Sequence, residues 1–159
     1  MGTRTGSMDP AVMTFLMNKG MTAQEIDDLV NKKSGVAGVS GVSSDFRDLD
    51  NAVLEGNGKA KLALDMFIYQ VRKYIGAYAA AMGGIDALVF TAGIGENNGP
   101  MRKDIVSGLE YMGIAIDDEK NLTRGTIDVS ASDARVKTLV IPTDEEMMIA
   151  IDTQRLVEG

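Results

Sequence analysis

The chain has no cysteine and no histidine, no tryptophan, and only three prolines. Without cysteine there is no disulfide, no thiolate metal ligand and no thiol nucleophile. Without histidine there is no Ser-His pair, no imidazole general base and no His-based metal centre. Long apolar runs are also missing. None reaches the roughly 20 residues that a membrane-spanning helix needs. The opening MGTRTGSMDP has none of the pattern of a secretory signal, so the expected compartment is the cytoplasm, with no membrane partner. Positive charge is in deficit. Sixteen Lys and Arg face 23 Asp and Glu, a net charge of −7. That balance argues against a nucleic-acid partner, whose footprint would be basic. It leaves room for a small anion held by a few local arginines and backbone N–H groups.

What is present is enough for a domain with a real core. The chain has 159 residues, 45% of them hydrophobic and 25% charged, as in ordinary globular proteins. Eleven methionines suggest an adaptable interior. Apolar runs of strand length alternate with helical periodicity in the second half, so the fold class is α/β. Residues 1–84 read as mainly helical and residues 85–159 as the α/β part.

The most informative stretch is Asp86 to Pro100, DALVFTAGIGENNGP. A short apolar strand stops at Ala92-Gly93-Ile94-Gly95, continues through Glu96-Asn97-Asn98-Gly99, and gives way to a helix at Pro100. Glycines let a backbone approach a ligand closely. Helix starts offer unpaired N–H groups to anions. A nucleotide-holding loop is the sharp reading, and a tight strand–helix turn the bland one. The spacing fits neither the dinucleotide fingerprint nor the P-loop.

Along the rest of the chain, Arg4 sits in a polar glycine-bounded loop. It is either a solvated surface charge or a forked donor for phosphate or carboxylate. Asp9-Pro10 begins one helix, and Thr22 with Glu25 makes the capping box of a second. Ser34 to Asp50 reads as a loose loop in which Ser44 or Asp45 caps a short helical turn. The alternative is a pocket wall, with Phe46 a flat apolar face, Arg47 a stacking guanidinium and Asp45 an acceptor. Asn57 to Met82 is the longest periodic segment, with Leu64, Phe67, Ile68, Val71, Ile75, Tyr78 and Met82 on one face. Met112 to Asp117 is expected as a short strand and Thr126 to Val129 as an edge strand. Val136 to Ile141 is a second strong strand. After it, Thr143 with Glu146 reads as a capping box. Glu145 is then either a plain first-turn acid or a ligand of hydrated Mg²⁺, which takes few protein carboxylates. In open α/β sheets ligands gather at the carboxyl ends of strands.

Taken together, Met1-Gly-Thr-Arg-Thr-Gly6 with Asp9-Pro-Ala11, Ser40 to Asp48, Val71 to Tyr78, Val89 to Asn97 and Val140 to Glu146 resemble the acetate kinase family, in the family's order and over essentially the whole chain. The resemblance implies a partial C-terminal lobe of an actin/sugar-kinase-like (ribonuclease H-like) ATPase fold. It implies transfer of the γ-phosphoryl of ATP to acetate with Mg²⁺, giving ADP and acetyl phosphate. It gives Arg4 the charge on the transferring phosphoryl and Asp45, Phe46 and Arg47 the adenosine. Gly93, Ile94, Gly95, Glu96 and Asn97 form the second nucleotide segment, and Glu145 binds magnesium. A homodimer is implied as well. The family chain is longer. Its N-terminal domain, acyl pocket and transition-state histidine are expected upstream, so the chain alone is expected to be inactive. Propionate or butyrate kinases of the same family, and a stand-alone nucleotide-binding or dimerisation module, are the alternatives. Asp144 stands where the family has Asn, and Ser7 where Asp is common.

Overall fold

The computed structural model describes residues 1–158. It resolves into two compact units, Met1–Val71 and the chain from Arg72 onward. The division falls inside one long helix.

The first unit is all helical. Helices α1 (Ala11–Asn18), α2 (Ala23–Lys32), α3 (Gly35–Ser40) and α4 (Phe46–Leu54) lead into α5 (Gly58–Met82), which continues into the second unit. Local chemistry sets most of the starts. Asp9 Oδ1 accepts the Ala11 N–H at 2.8 Å, and Thr22 and Glu25 form the expected reciprocal capping box. Asn57 Oδ1 accepts the N–H groups of Lys59 and Ala60 at the start of α5. Asp45 caps α4 by accepting the Arg47 N–H at 2.9 Å. Ile26, Val36, Phe46, Leu49, Ala52, Ala60, Ala63 and Leu64 are buried. On α5, Ala60 stands three residues before Ala63 and four before Leu64, so the three share one buried face.

Helix α3 departs from the loop expected there. Its sequence, GVAGVS, is a poor helix former, with two glycines and two β-branched residues in six positions. Its first turn is held by distant backbone. Val36 N–H donates to Met1 O and Ala37 N–H to Gly2 O, both at 3.0 Å. Gly35 is required at the crossing. Its φ is +62°, and a Cβ there would stand 2.4 Å from Met1 O.

The second unit carries a three-stranded sheet in the order β1-β3-β2, where β1 is Ala87–Phe90, β2 Ile127–Asp128 and β3 Lys137–Val140. β1 and β3 run parallel, pairing Ala87 with Lys137 through Phe90 with Val140. β2 runs antiparallel to β3. The edge strand expected near 126–129 is therefore present. The strand expected over 112–117 is not. A 3-10 turn, Glu110–Met112, and two isolated bridges, Ile114 with Val136 and Ile116 with Ser130, replace it. Gly113 lies between them at φ +88°, a left-handed residue that turns the chain and interrupts a ladder.

Between β1 and β3 come α6 (Ala92–Asn97) and α7 (Gly99–Val106), and after β3 comes α8 (Glu145–Glu158). Phe90, Met101, Ile105, Val106, Leu109, Ile114, Val129, Val136 and Val140 form the core of this unit. Two sequence expectations are corrected here. The glycine segment is not an open loop, because it winds into α6 immediately after Thr91. Helix α8 is not capped by Thr143 and Glu146. Asp144 Oδ1 accepts the Met147 N–H at 3.0 Å instead, leaving Thr143 for another contact. Of the apolar face read along α5, Leu64 is buried, while Tyr78 and Met82 near its C-terminal end are 63% and 66% exposed.

Candidate functional site

In the first unit the position of Arg4 is set by its neighbours. Ser34 N–H donates to Thr3 O at 2.8 Å, and Thr5 N–H donates to Val30 O at 2.9 Å. Thr3 Oγ1 donates to Asn31 O at 2.9 Å. The backbone on both sides of Arg4 is thus fastened to the end of α2 and the start of α3. The Arg4 side chain is exposed, and among the described residues no hydrogen bond or ion pair engages it. A positioned backbone carrying an unengaged guanidinium suits an anion that arrives from solution.

The same segment runs beside the cap of α4. A Cβ built on Gly2 would lie 3.5 Å from Ser44 Cβ, one residue before Asp45. Asp45 and Arg47 bind each other. The Arg47 Nη2 to Asp45 Oδ2 distance is 2.5 Å, and Nε reaches both carboxylate oxygens at 3.1 and 3.2 Å. The Arg47 side-chain and backbone hydrogen bonds hold the Asp45 carboxyl down at about 2. The Arg47 side chain is otherwise 88% exposed, a guanidinium plane open on its faces. Phe46 is turned inward. It is buried, and its ring meets Phe67 edge-on at 4.8 Å between centroids. Its first task is therefore packing.

In the second unit, α6 places Gly93, Ile94, Gly95, Glu96 and Asn97 in consecutive helical positions at the end of β1. The residue with left-handed backbone is not a glycine. Ala92 has φ +57°, an uncommon conformation for a residue with a Cβ and a form of local strain that gathers at functional sites. The three glycines divide by environment. A Cβ at Gly95 would lie 3.3 Å from the Phe90 carbonyl carbon, and one at Gly99 would lie 2.7 Å from Asn121 O. Packing requires glycine at position 99 and makes any side chain at position 95 tight against the β1 backbone. A Cβ at Gly93 would meet nothing within 4 Å, and its φ is not positive. Gly93 is the one of the three that neither packing nor backbone conformation explains.

Two side chains tie α6 down. Glu96 Oε1 accepts the Thr143 N–H at 2.9 Å and its hydroxyl at 3.3 Å. This joins the turn after β1 to the loop after β3, two residues before Glu145. Arg102 on α7 is the residue that sequence reasoning missed. It is 2% exposed and donates to Gly95 O at 2.7 Å and Glu96 O at 2.9 Å. A signal existed, since Arg102 stands three and four residues before the inward Ile105 and Val106. Asn97 folds back, donating from Nδ2 to Gly93 O at 3.0 Å.

Glu145 is exposed on the first turn of α8. Asp144 beside it is engaged as the cap, and among the described residues no group of three acidic side chains gathers there. A cage for Ca²⁺ or a multi-carboxylate metal centre does not fit. A single exposed carboxylate is within what Mg²⁺ asks of a protein, since that ion keeps most of its waters and takes one or two carboxylates together with substrate phosphates.

The two units thus carry an α/β arrangement with candidate anion-binding side chains at helix starts and strand ends, which defines part of an actin/sugar-kinase-like fold. The acetokinase family pattern matches residues 1–151, and the chain belongs to that family. It is 60% identical to the acetate kinase of Heliobacterium modesticaldum over its full length, covering 40% of that protein. It is 60% identical to the acetate kinase of Methanosarcina thermophila over 99% of the chain and 39% of that protein. Among solved structures, the acetate kinase of Porphyromonas gingivalis superposes with a TM-score of 0.90 at 51% identity, over 99% of this chain and 40% of that one. A propionate kinase from Francisella tularensis superposes with a TM-score of 0.85 at 38% identity, over 94% of this chain and 38% of that one. The chain therefore spans about 40% of the length of the relatives it matches.

Proposed function

We propose that the chain is the nucleotide-binding part of an acetate kinase, which transfers the γ-phosphoryl of ATP to acetate and releases ADP and acetyl phosphate. The observation that carries this reading is the pair of hydrogen bonds from Thr143 to Glu96. They fasten the Gly93–Asn97 turn to Thr143, two residues before Glu145, at the ends of two strands, within a chain whose relatives are acetate kinases.

Phosphoryl transfer asks a protein mainly for positioning and for positive charge where the transferring group becomes more exposed. In this reading Arg4, held at its backbone and free at its guanidinium, stabilises the transferring phosphoryl. Asp45, Phe46 and Arg47 form the adenosine wall, with Arg47 offering its face to the base while Asp45 orients it and Phe46 holds the helix start from below. Gly93, Ile94, Gly95, Glu96 and Asn97 shape the second nucleotide segment, and Gly93 leaves space for the ligand. Glu145 holds hydrated Mg²⁺, whose charge offsets that of the phosphates when it is bound.

We infer from the family resemblance of the motifs that the chain is the C-terminal part of its relatives, with the acyl pocket in the remainder. Catalysis then needs that remainder, and the exposed Met147, Met148, Ile149 and Leu156 of α8 suit a surface covered by further chain or by a second copy in a dimer. Two measurements test this. Acetyl phosphate formation is expected from the complete protein and absent from residues 1–159 alone; turnover by residues 1–159 contradicts it. The reading frame around these residues should encode the rest of the enzyme upstream, and coding sequence lying downstream would overturn the C-terminal assignment.

A further inference from the structure

Arg102 carries a buried charge that no carboxylate among the described residues neutralises. All of its partners are neutral oxygens. Nε donates to Asn121 Oδ1 at 2.8 Å, Nη1 to Gly95 O and Glu96 O, and Nη2 to Asn121 O at 2.6 Å. Asn121, in the 3-10 turn Lys120–Leu122, completes the clasp by donating from Nδ2 to Gly99 O at 2.7 Å. Among the described residues no carboxylate pairs with Arg102, whereas the salt bridges of the chain lie on its surface. Burial disfavours the charged form, yet an arginine stays protonated in proteins.

A buried guanidinium with neutral partners is an expensive way to cap a helix of six residues. Taking the charge out of water costs several kcal/mol, and neutral hydrogen bonds offset only part of it. An exposed Lys or a polar cap would satisfy two carbonyls at far lower cost. The arrangement makes sense where an anion completes it. The field of an unpaired charge persists over several ångströms in a poorly screened interior, and the two carbonyls that Arg102 grips belong to the turn assigned above to the nucleotide.

We propose that Arg102 is a positioning residue for an anionic nucleotide at the Gly93–Asn97 turn. It locks the turn through the Gly95 and Glu96 carbonyls and leaves beside it a positive charge that the ligand's phosphates, rather than a carboxylate of the chain, balance. The proposal rests on the nucleotide reading of that turn. Asn121 is its second member, because it fixes the plane of the guanidinium and the start of α7 together.

The test compares ADP with adenosine, which presents the same base and sugar without charge. Calorimetry on the complete protein measures both ligands for the unaltered chain, Arg102→Lys and Asn121→Asp. Lys keeps the charge but loses the fork, and Asp supplies an internal counter-ion at the Nε contact. In either variant ADP affinity should fall on the order of tenfold, about 1.4 kcal/mol, while adenosine affinity holds. Equal losses for both ligands, or no loss of ADP affinity, overturn the proposal. The unaltered protein gives a second readout that does not depend on a variant folding. The Arg102 Nε–H resonance should shift and exchange more slowly with saturating ADP and not with adenosine; indifference to ADP overturns the proposal. An unaltered protein that binds neither ligand removes the nucleotide reading itself, an outcome distinct from the others.

Discussion

Glu96 accepts both the backbone N–H and the hydroxyl of Thr143, at 2.9 and 3.3 Å, through a single carboxylate oxygen. Forty-seven residues apart in sequence, they close the gap between the ends of the two parallel strands. The helix after β1 and the helix after β3 therefore keep a fixed spacing, and whatever sits at one strand end feels the other.

Glu96→Ala should loosen that spacing. Lost stability is expected to be modest, about 1–2 kcal/mol for charge-assisted hydrogen bonds at a half-exposed site. The KM for Mg-ATP in the complete protein should rise by more than the stability loss implies. Glu96→Gln keeps an acceptor oxygen and should recover most of the KM. If alanine and glutamine variants behave alike, the charge and not the geometry of the tie is what matters.

The glycines of the same turn should separate by environment. Gly99→Ala forces a Cβ against the Asn121 carbonyl and should cost about 1–3 kcal/mol in thermal or denaturant unfolding. Gly93→Ala meets no protein atom and should leave stability nearly unchanged while weakening ADP binding. A Gly93→Ala protein that binds ADP normally would remove Gly93 from the nucleotide segment.

Arg4 and Phe46 should fail in different ways. Arg4 is exposed and, among the described residues, unpaired, so in Arg4→Ala the melting temperature should hold while kcat in the complete protein falls by about 100-fold or more, the size associated with losing one transition-state charge donor. A change confined to KM contradicts that role. Phe46→Ala removes a buried ring packed on Phe67 and should cost about 3–5 kcal/mol. Phe46→Leu refills most of the space, so any nucleotide weakening that survives in it reports on the wall and not on packing.

Asp45 should titrate far below an ordinary aspartate. Arg47 lowers its folded pKa to about 2 from 3.8. The stabilisation from this pair is therefore present above pH 3.8 and lost as the pH falls through about 2. Both side chains are solvated, so the effect on global stability is small. Carbon NMR of the Asp45 carboxyl should give a midpoint near 2, and Arg47→Ala should return it toward 3.8. A midpoint near 3.8 in the unaltered chain would mean that the pair is open in solution.

Local chemistry was legible in the residues. The Thr22–Glu25 box, the Asp45 cap, the two parallel strands and the long α5 all follow from short-range periodicity and side chains that bond within four residues of themselves. Such patterns do not depend on the rest of the chain. The motifs of the acetokinase family were legible for the same reason, as short contiguous strings.

Tertiary contact decided the rest. Helix α3 forms from poor helix formers because Met1 and Gly2 supply acceptors for its first N–H groups. Thr143 reads as a cap by spacing alone, yet Glu96 from across the sheet captures its hydroxyl and Asp144 takes over. Phe46 looks like a free aromatic face until Phe67, one helix later, covers its edge. Above all, nothing in the string MRKDIV says that its arginine turns inward to grip two carbonyls six and seven residues back. Long-range partners fix these positions, and a buried polar group goes wherever such partners are, because leaving it unpaired costs more than any local preference can supply.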